Sequence, residues 1–294
     1  MNGIINIYKE KNMTSHDVVS SVRRILCTKH VGHLGTLDPL AEGVLIVMVG
    51  NATKLAPFLE DDYKVYEAEV ILGFTTTTYD LEGEKSPIED TSFITEEEID
   101  RVLNSFIGKQ LQEAPIYSAI KVAGKKLYEY ARKSEEVTLP KREITIHSIK
   151  RINTLKRDGF ITSFKIITKV SRGTYIRSLC YDIGKKLGVN SCMGSLVRVQ
   201  SGNFKLNDAV KLEEISLENP HLIKSLECLS SYYQFNCSEN NEIHKKVING
   251  MKISSKTFTE HHDYIVFTDS DNLLAVYKYI EVEKPYYQAV RVWK

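Results

Sequence analysis

Residues 32–43 read Gly-His-Leu-Gly-Thr-Leu-Asp-Pro-Leu-Ala-Glu-Gly and run straight into the unbroken apolar stretch 44–49. Glycine lets the backbone turn sharply at Gly32 and Gly35, and Pro39 holds the residue before it in an extended conformation. Asp38 is thereby presented at a turn rather than packed, and a buried strand has to follow it. Taken alone, Asp-Pro is also what opens an ordinary turn, its side chain bonding the local backbone. Other segments of the chain decide between the two.

The rest of the pattern is mixed helix and strand. Thr14 and Ser15 offer N-cap oxygens to a helix with Val18, Val22, Ile25 and Leu26 on one face, ending near Cys27. Residues 51–59 suggest a short helix, and 65–72 an alternating strand that carries Tyr66. Thr95 caps a helix over 96–106 with Ile99, Val102, Leu103 and Phe106 inward, stopped by Gly108. The β-rich runs 144–152 and 160–170 flank a polar turn at 157–159, as a hairpin would, and 178–187 is helix-like. After Leu212 the Ser, Asn and Glu content rises and predicts a linker, with a short helical stretch over 222–229. The tail then offers four helix or strand candidates at 243–251, 264–268, 273–280 and 287–293, with turn residues at 269–272. The expectation from this pattern is an α+β chain with a small β-rich C-terminal domain.

At 294 residues the chain is long for one domain, so a large domain plus a small one is expected. The longest apolar run is far below the ~18 residues of a membrane span, and the N-terminus has no signal-peptide pattern, so a soluble, cytoplasmic protein is expected. Five cysteines form no C-x-x-C pair and are odd in number, which speaks against a zinc site and a complete disulfide framework; reduced thiols and no metal are expected. The net charge of +1 is weak for a nucleic-acid protein, but it is unevenly spread. Residues 121–157 hold eleven Lys and Arg against four Glu, a local +7, whereas 80–100 hold nine acids against Lys85, a local −8. Lys121, Lys125, Lys126 and Arg132, interleaved with tyrosines, are candidate RNA contacts; a solvated helix face is the plainer reading of the same residues.

Three further segments give the Asp38 loop its company: Ser-Arg-Gly-Thr-Tyr-Ile-Arg-Ser-Leu at 171–179, Lys-Val-Tyr-Glu-Ala-Glu-Val at 64–70, and Pro-Ile-Tyr-Ser-Ala-Ile-Lys at 115–121. In order and spacing, from about residue 3 to about 199, the chain resembles the pseudouridine synthase family, and within it the branch that makes the T-arm pseudouridine of tRNA. That resemblance implies a mixed, mainly antiparallel sheet flanked by helices in a catalytic domain over 1–230, with 115–142 as a flap that clasps RNA, and a PUA-like RNA-binding domain over 231–294. It implies tRNA as partner, through its T-arm stem-loop, with no protein partner and a monomeric state.

Converting uridine to pseudouridine breaks the N1–C1′ bond, turns the uracil and joins C5 to C1′, with no redox change and no group added, so no cofactor is required. The reaction does need an ionised carboxylate at the sugar, as nucleophile at C1′ or as base at C2′, and support for the departing uracil anion. The resemblance assigns the carboxylate to Asp38. It pairs Arg177 with that carboxylate, which would favour the ionised form and fix its rotamer. Tyr66 is implied as the ring that stacks on a flipped-out base, its hydroxyl available for proton transfer; alone, a tyrosine on an alternating strand more often fills a sheet face. Tyr175 and Leu196 are implied as further pocket walls, and His33 as a residue at the place the base vacates.

Two departures from the family pattern stand out. Where Lys-Pro-x-Gly-x-Thr-Ser is usual, residues 9–15 lack the Pro and the Gly, so the turn must be built otherwise. Where Thr-Asp-Thr is usual, Thr76-Thr77-Thr78 lacks an acid. Two other functions compete: an RNA-binding or tRNA-folding protein that uses the same pocket without turning the base over, and a phosphate-binding metabolic enzyme. The first would gain nothing from an ionised carboxylate in an RNA-facing cleft, where it repels phosphate. The second lacks P-loop or Rossmann spacing.

Overall fold

The computed structural model describes residues 1–59, 63–133 and 135–293. In chain order the larger part runs β1 (Gly3–Lys9), α1 (Ser15–Ile25), β2 (Val31–Leu34), β3 (Ala41–Val49), α2 (Ala56–Leu59), β4 (Tyr63–Leu72), α3 (Glu96–Asn104), β5 (Gly108–Glu113), β6 (Lys121–Val122), β7 (Lys125–Lys126), α4 (Leu127–Arg132), β8 (Lys141–Arg151), β9 (Lys156–Asp158), β10 (Ile161–Ser171), α5 (Ile176–Leu187), β11 (Ser191–Ser201) and β12 (Phe204–Lys205). The tail adds β13 (Tyr233–Asn236), α6 (Asn241–Ile248), β14 (Ile253–Ser254), β15 (Tyr264–Asp269), β16 (Asn272–Ile280) and β17 (Tyr286–Val292).

One large sheet dominates, in the order β1-β3-β11-β4-β10-β8-β5, with β2, β12 and β9 paired to β3, β11 and β10. Its ladders are antiparallel except β3–β11, where Leu196, Val197 and Arg198 run parallel beside Ala41, Glu42 and Gly43. The apolar run expected after Asp38 is β3, and its continuity has a direct cause: it is covered on both faces. Val44, Ile46 and Met48 enter one core with Phe58 and Leu59, while Leu45, Val47 and Val49 enter another with Val18 and Val22 of α1.

The helix starts are local chemistry. Thr14 caps α1 in a reciprocal box with Asp17, and Thr95 caps α3 in the same way with Glu98. Ser15 is not part of the cap; its hydroxyl bonds the Asp38 loop instead. Helix α3 closes at Ser105, before Gly108, which opens β5 at a φ of 113°. Residues 51–59 form a 3₁₀ segment and then α2, and β8, β9 and β10 make the expected hairpin around Gly159.

The expected linker is no free tether. Ile223 pairs with Ile4 and Val210 with Ile7 along the edge strand β1, so 210–223 straps the sheet edge; the helical stretch expected at 222–229 shrinks to one 3₁₀ turn at Glu227–Leu229. The tail is β-rich, a five-stranded sheet ordered β13-β15-β16-β17-β14 with α6 beside it. Leu229, Val266 and Val276 share one core with Ile4, Val44 and Phe58 of the main sheet. Among the described residues no helix is long and apolar enough to cross a membrane.

Candidate active site

The Asp38 loop joins β2 to β3 and is held from below by buried polar groups. The Ser15 hydroxyl accepts from Leu37 N at 2.9 Å and stands 3.2 Å from Leu37 O as donor. Lys9, fully buried, donates from Nζ to the carbonyls of Met13 (2.6 Å), Glu10 (3.0 Å) and Pro39 (3.3 Å). This answers how the turn at 9–15 is built without its usual Pro and Gly. Asn12 takes the left-handed conformation (φ 65°), which asparagine tolerates better than most residues, and its N–H donates to Pro39 O at 2.9 Å. Burial lowers the Lys9 ammonium to about 8, opposed by the nearby Glu42 and Asp38 carboxylates. Arg198, equally buried on β11, donates to Val44 O (2.7 Å) and Gly35 O (2.8 Å), pinning both ends of the loop. Gly43 adopts a φ of 103°, and a Cβ there would collide with the Arg198 backbone, so the glycine sets the β3–β11 approach.

Arg177 enters from the first turn of α5. Its Nε lies 2.9 Å from Asp38 Oδ2, an ion pair in which the N–H is not aimed along the hydrogen-bond line. Nη2 donates to Tyr117 O (3.0 Å) and Nη1 to Thr78 O (3.1 Å), and Nη1 lies 3.6 Å from Asp80 Oδ2. The guanidinium is thus clamped between two carboxylates of opposite setting: the Asp38 side chain is 42% exposed, that of Asp80 only 6%. Asp80 in turn accepts from Glu82 N and the Thr78 hydroxyl. An acid does stand behind Arg177, two positions beyond the last of the three threonines, where motif spacing gave no reason to look. Gln112, buried on β5, brackets the Tyr175 peptide: its Oε1 accepts from Tyr175 N (2.8 Å) and its Nε2 donates to Tyr175 O (2.9 Å). The start of α5 has no side-chain cap, and this amide locates it.

Above the pair opens a cleft of about 860 Å³. Tyr66 of β4, Tyr175 and Leu196 of β11 wall it around Asp38 and Arg177, as expected, and Lys64, Arg142, Arg172 and Arg198 also line it. The Arg142 guanidinium sits 5.6 Å from the centre of the Tyr175 ring. Lys64, Arg142 and Arg172, which unlike Arg198 keep part of their surface open, suit a polyanion despite the carboxylates of Asp38 and Glu143.

Over the mouth hangs the segment 115–142, of which Ser134 lies outside the described residues: the β6–β7 hairpin, then α4. Tyr128 reaches the cleft, with Lys126 and Arg132 each 5.4 Å from its ring. Lys121 is exposed, and Lys125 pairs with Glu135 at 3.1 Å. His33 sits on β2 opposite Val47 and is not among the described residues that line the cleft; its Nδ1 is buried and unpartnered, and its pKa is lowered by burial, Arg198 and His16. Asp80, Lys9, Arg198, Gln112 and Arg142 are the residues that sequence reasoning did not single out. Among the described residues no group of three or more His, Cys, Asp or Glu is placed to hold a metal ion.

The chain is similar to known proteins. The model of the TruB family pseudouridylate synthase N-terminal domain matches residues 23–176, and that of the tRNA pseudouridylate synthase B C-terminal domain matches 177–223. The chain is 42% identical over 285 residues to a tRNA pseudouridine synthase B of Clostridium perfringens, covering 95% of each, and 42% identical over 294 residues to one of Staphylococcus aureus, covering 94% of each. Among solved structures it is similar to a chain of a Cbf5-Nop10-Gar1 complex, with a TM-score of 0.69 and 25% identity over 99% of this chain and 84% of that one. With family models spanning residues 23–223 and relatives this similar along nearly their whole length, the chain belongs to the TruB family of pseudouridylate synthases.

Proposed function

We propose that this protein isomerises a specific uridine in the T-arm of tRNA to pseudouridine, with Asp38 as the carboxylate that acts on the sugar of a flipped-out nucleotide. One observation carries the reading: the Asp38–Arg177 pair lies at the base of an open, cation-lined cleft whose walls are Tyr66, Tyr175 and Leu196. A structural ion pair has no use for a cleft, and a passive RNA-binding surface has no use for an exposed carboxylate among phosphates.

The residues divide the work. Tyr66 supplies the face on which an extruded base stacks, with Tyr175 and Leu196 closing the pocket around it. Asp38 attacks C1′ or removes the C2′ proton as the N1–C1′ bond breaks; Arg177, fixed by Thr78, Tyr117 and Asp80, keeps the carboxylate on that line. Once C5 has bonded to C1′, the hydrogen on C5 leaves as a proton, and the Tyr66 hydroxyl is the near group able to relay it. The T-arm comes from the family resemblance and from relatives named tRNA pseudouridine synthase B. Residues 115–142 act as an RNA clasp through Lys121, Lys125, Lys126 and Arg132, and 231–294 as a PUA-like RNA-binding domain beside a catalytic domain over 1–230. Residues 60–62, 134 and 294 of these spans lie outside the described residues. The enzyme acts as a cytoplasmic monomer.

Tritium release from C5-labelled uridine tests this reading, because only isomerisation frees that hydrogen. Release from a T-arm stem-loop, and none from an anticodon stem-loop of equal length, is expected. Tight binding of the T-arm without release would leave an RNA-binding or tRNA-folding protein.

A further inference from the structure

The turn that receives Arg177 is held in an unusual way. Thr78 O and the Asp80 carboxylate, the groups around Nη1 of Arg177, flank Tyr79, which is not glycine yet lies in the left-handed region at a φ of 61°. A bulky residue stays there only where its surroundings fix it. Three contacts do so. Tyr79 N donates to Thr76 O (3.2 Å), Tyr79 O accepts from Met193 N (2.9 Å), and its ring stacks on Tyr181, with centroids 4.2 Å apart and planes at 17°. Tyr181 lies four residues after Arg177 on α5, so the two side chains project from neighbouring turns of one helix. The helix that sends Arg177 into the site also carries the ring that grips the turn on which Arg177 lands. Neither tyrosine is among the described residues lining the large cleft; both border a separate, smaller cavity with Glu113 and Asp182.

We infer that the Tyr79–Tyr181 stack is a positioning device for the Asp80–Arg177–Asp38 chain: it locks the 76–80 turn to α5 and so fixes where the Arg177 guanidinium presents itself to Asp38. This rests on the reading of Asp38 as the catalytic carboxylate. The rings touch no substrate and act through Arg177 alone, so losing the stack slows chemistry while leaving RNA binding in place.

Two readouts test it. In single-turnover tritium release at saturating T-arm stem-loop, Tyr181→Ala and Tyr79→Gly should each be at least tenfold slower, with RNA affinity within twofold. Tyr181→Phe, which keeps the stack, should stay within twofold of the original rate. The double variant Tyr79→Gly/Tyr181→Ala should be no slower than either alone, since one contact is lost once. Separately, in the RNA-free protein, the Arg177 Nε–H resonance, assigned by its absence in Arg177→Lys, should shift or broaden in Tyr181→Ala and stay in place in Tyr181→Phe. A full rate in Tyr79→Gly, or a Tyr181→Ala that melts lower yet turns over normally with an unmoved resonance, overturns the proposal. An original protein that releases no tritium sinks the substrate reading instead, and the resonance still decides the stack.

Discussion

The loop that carries Asp38 and the segment over 115–142 both face the same cleft, yet they are built in opposite ways. The loop is stapled by buried side chains from three directions: Lys9 donating to Pro39 O, the Ser15 hydroxyl bonded to Leu37 N and O, and Arg198 donating to Gly35 O. The segment 115–142 is tied at its two ends, where Arg177 donates to Tyr117 O and residues 141–142 pair with β5, but between them it rests on less: the Leu127 and Tyr128 N–H groups on Ile120 O and Ser118 O, the Tyr130 hydroxyl on Val122 O (2.9 Å), and an exposed Lys125–Glu135 pair of the kind that contributes little. Buried hydrogen-bonded charge holds a group to one geometry, because leaving any member unpaired costs several kcal/mol. Exposed pairs in high dielectric impose no such penalty. On the proposed function, the difference teaches where accuracy would be needed: at the carboxylate, where a small misplacement would be costly in rate, and less so over the mouth, which would have only to meet a backbone.

This contrast can be broken or sharpened by substitution. The largest effect within the frame of the loop is expected from Arg177→Lys. Lysine keeps the charge but cannot reach Asp38, Asp80 and two carbonyls at once, so turnover should fall on the order of a hundredfold while RNA affinity changes little. Equal losses in both would make Arg177 an RNA contact only. Next comes Tyr66. Tyr66→Phe should bind RNA nearly as well and lose most turnover, and Tyr66→Ala should lose both, the missing stack costing on the order of 1–3 kcal/mol. A Tyr66→Phe protein with its full single-turnover rate would leave the tyrosine as a platform and nothing more.

Lys9 gives a smaller effect that is read in stability. Burial holds its ammonium at about 8, below the ordinary lysine value of 10.5, so between these values the unfolded chain binds the extra proton and stability rises with pH. Denaturation of the original protein minus that of Lys9→Met should therefore shift toward the original across pH 8 to 10.5, by about 1–3 kcal/mol. A flat difference would mean that Lys9 keeps its proton. The smallest effect is expected over the mouth: Lys125→Ala and Lys126→Ala should each weaken stem-loop binding a few-fold and lower its salt slope by about one, with single-turnover chemistry at saturating RNA little changed. A hundredfold loss of that rate would erase the contrast.

Those elements of the fold that rest on local rules were legible in the sequence. The capping threonines Thr14 and Thr95, the alternation of β4 and the continuous apolar run of β3 each follow from neighbours a few residues apart. Asp38, Tyr66, Tyr175, Arg177 and Leu196 were legible as a set through their motifs, and the cleft does gather them. What escaped depends on contacts far along the chain. Lys9 reads as a surface cation until Pro39, 30 positions on, helps enclose it. Gln112 reads as a polar edge residue until it meets Tyr175, 63 positions on. Asp80 belonged to an acidic run with no sign that one member turns inward to Arg177. The strap at 210–223 was misjudged from composition, which cannot show that Ile223 and Val210 pair with an edge strand more than two hundred residues earlier.

The central claim is that the carboxylate of Asp38 performs the chemistry and that its surroundings only hold it in place. Asp38→Asn tests this most directly, since it keeps the shape of the side chain and removes its charge. Measured together on the C5-tritiated T-arm stem-loop, release should be abolished while the dissociation constant stays within a few-fold of the original. A variant that still frees tritium at a comparable single-turnover rate would contradict the account.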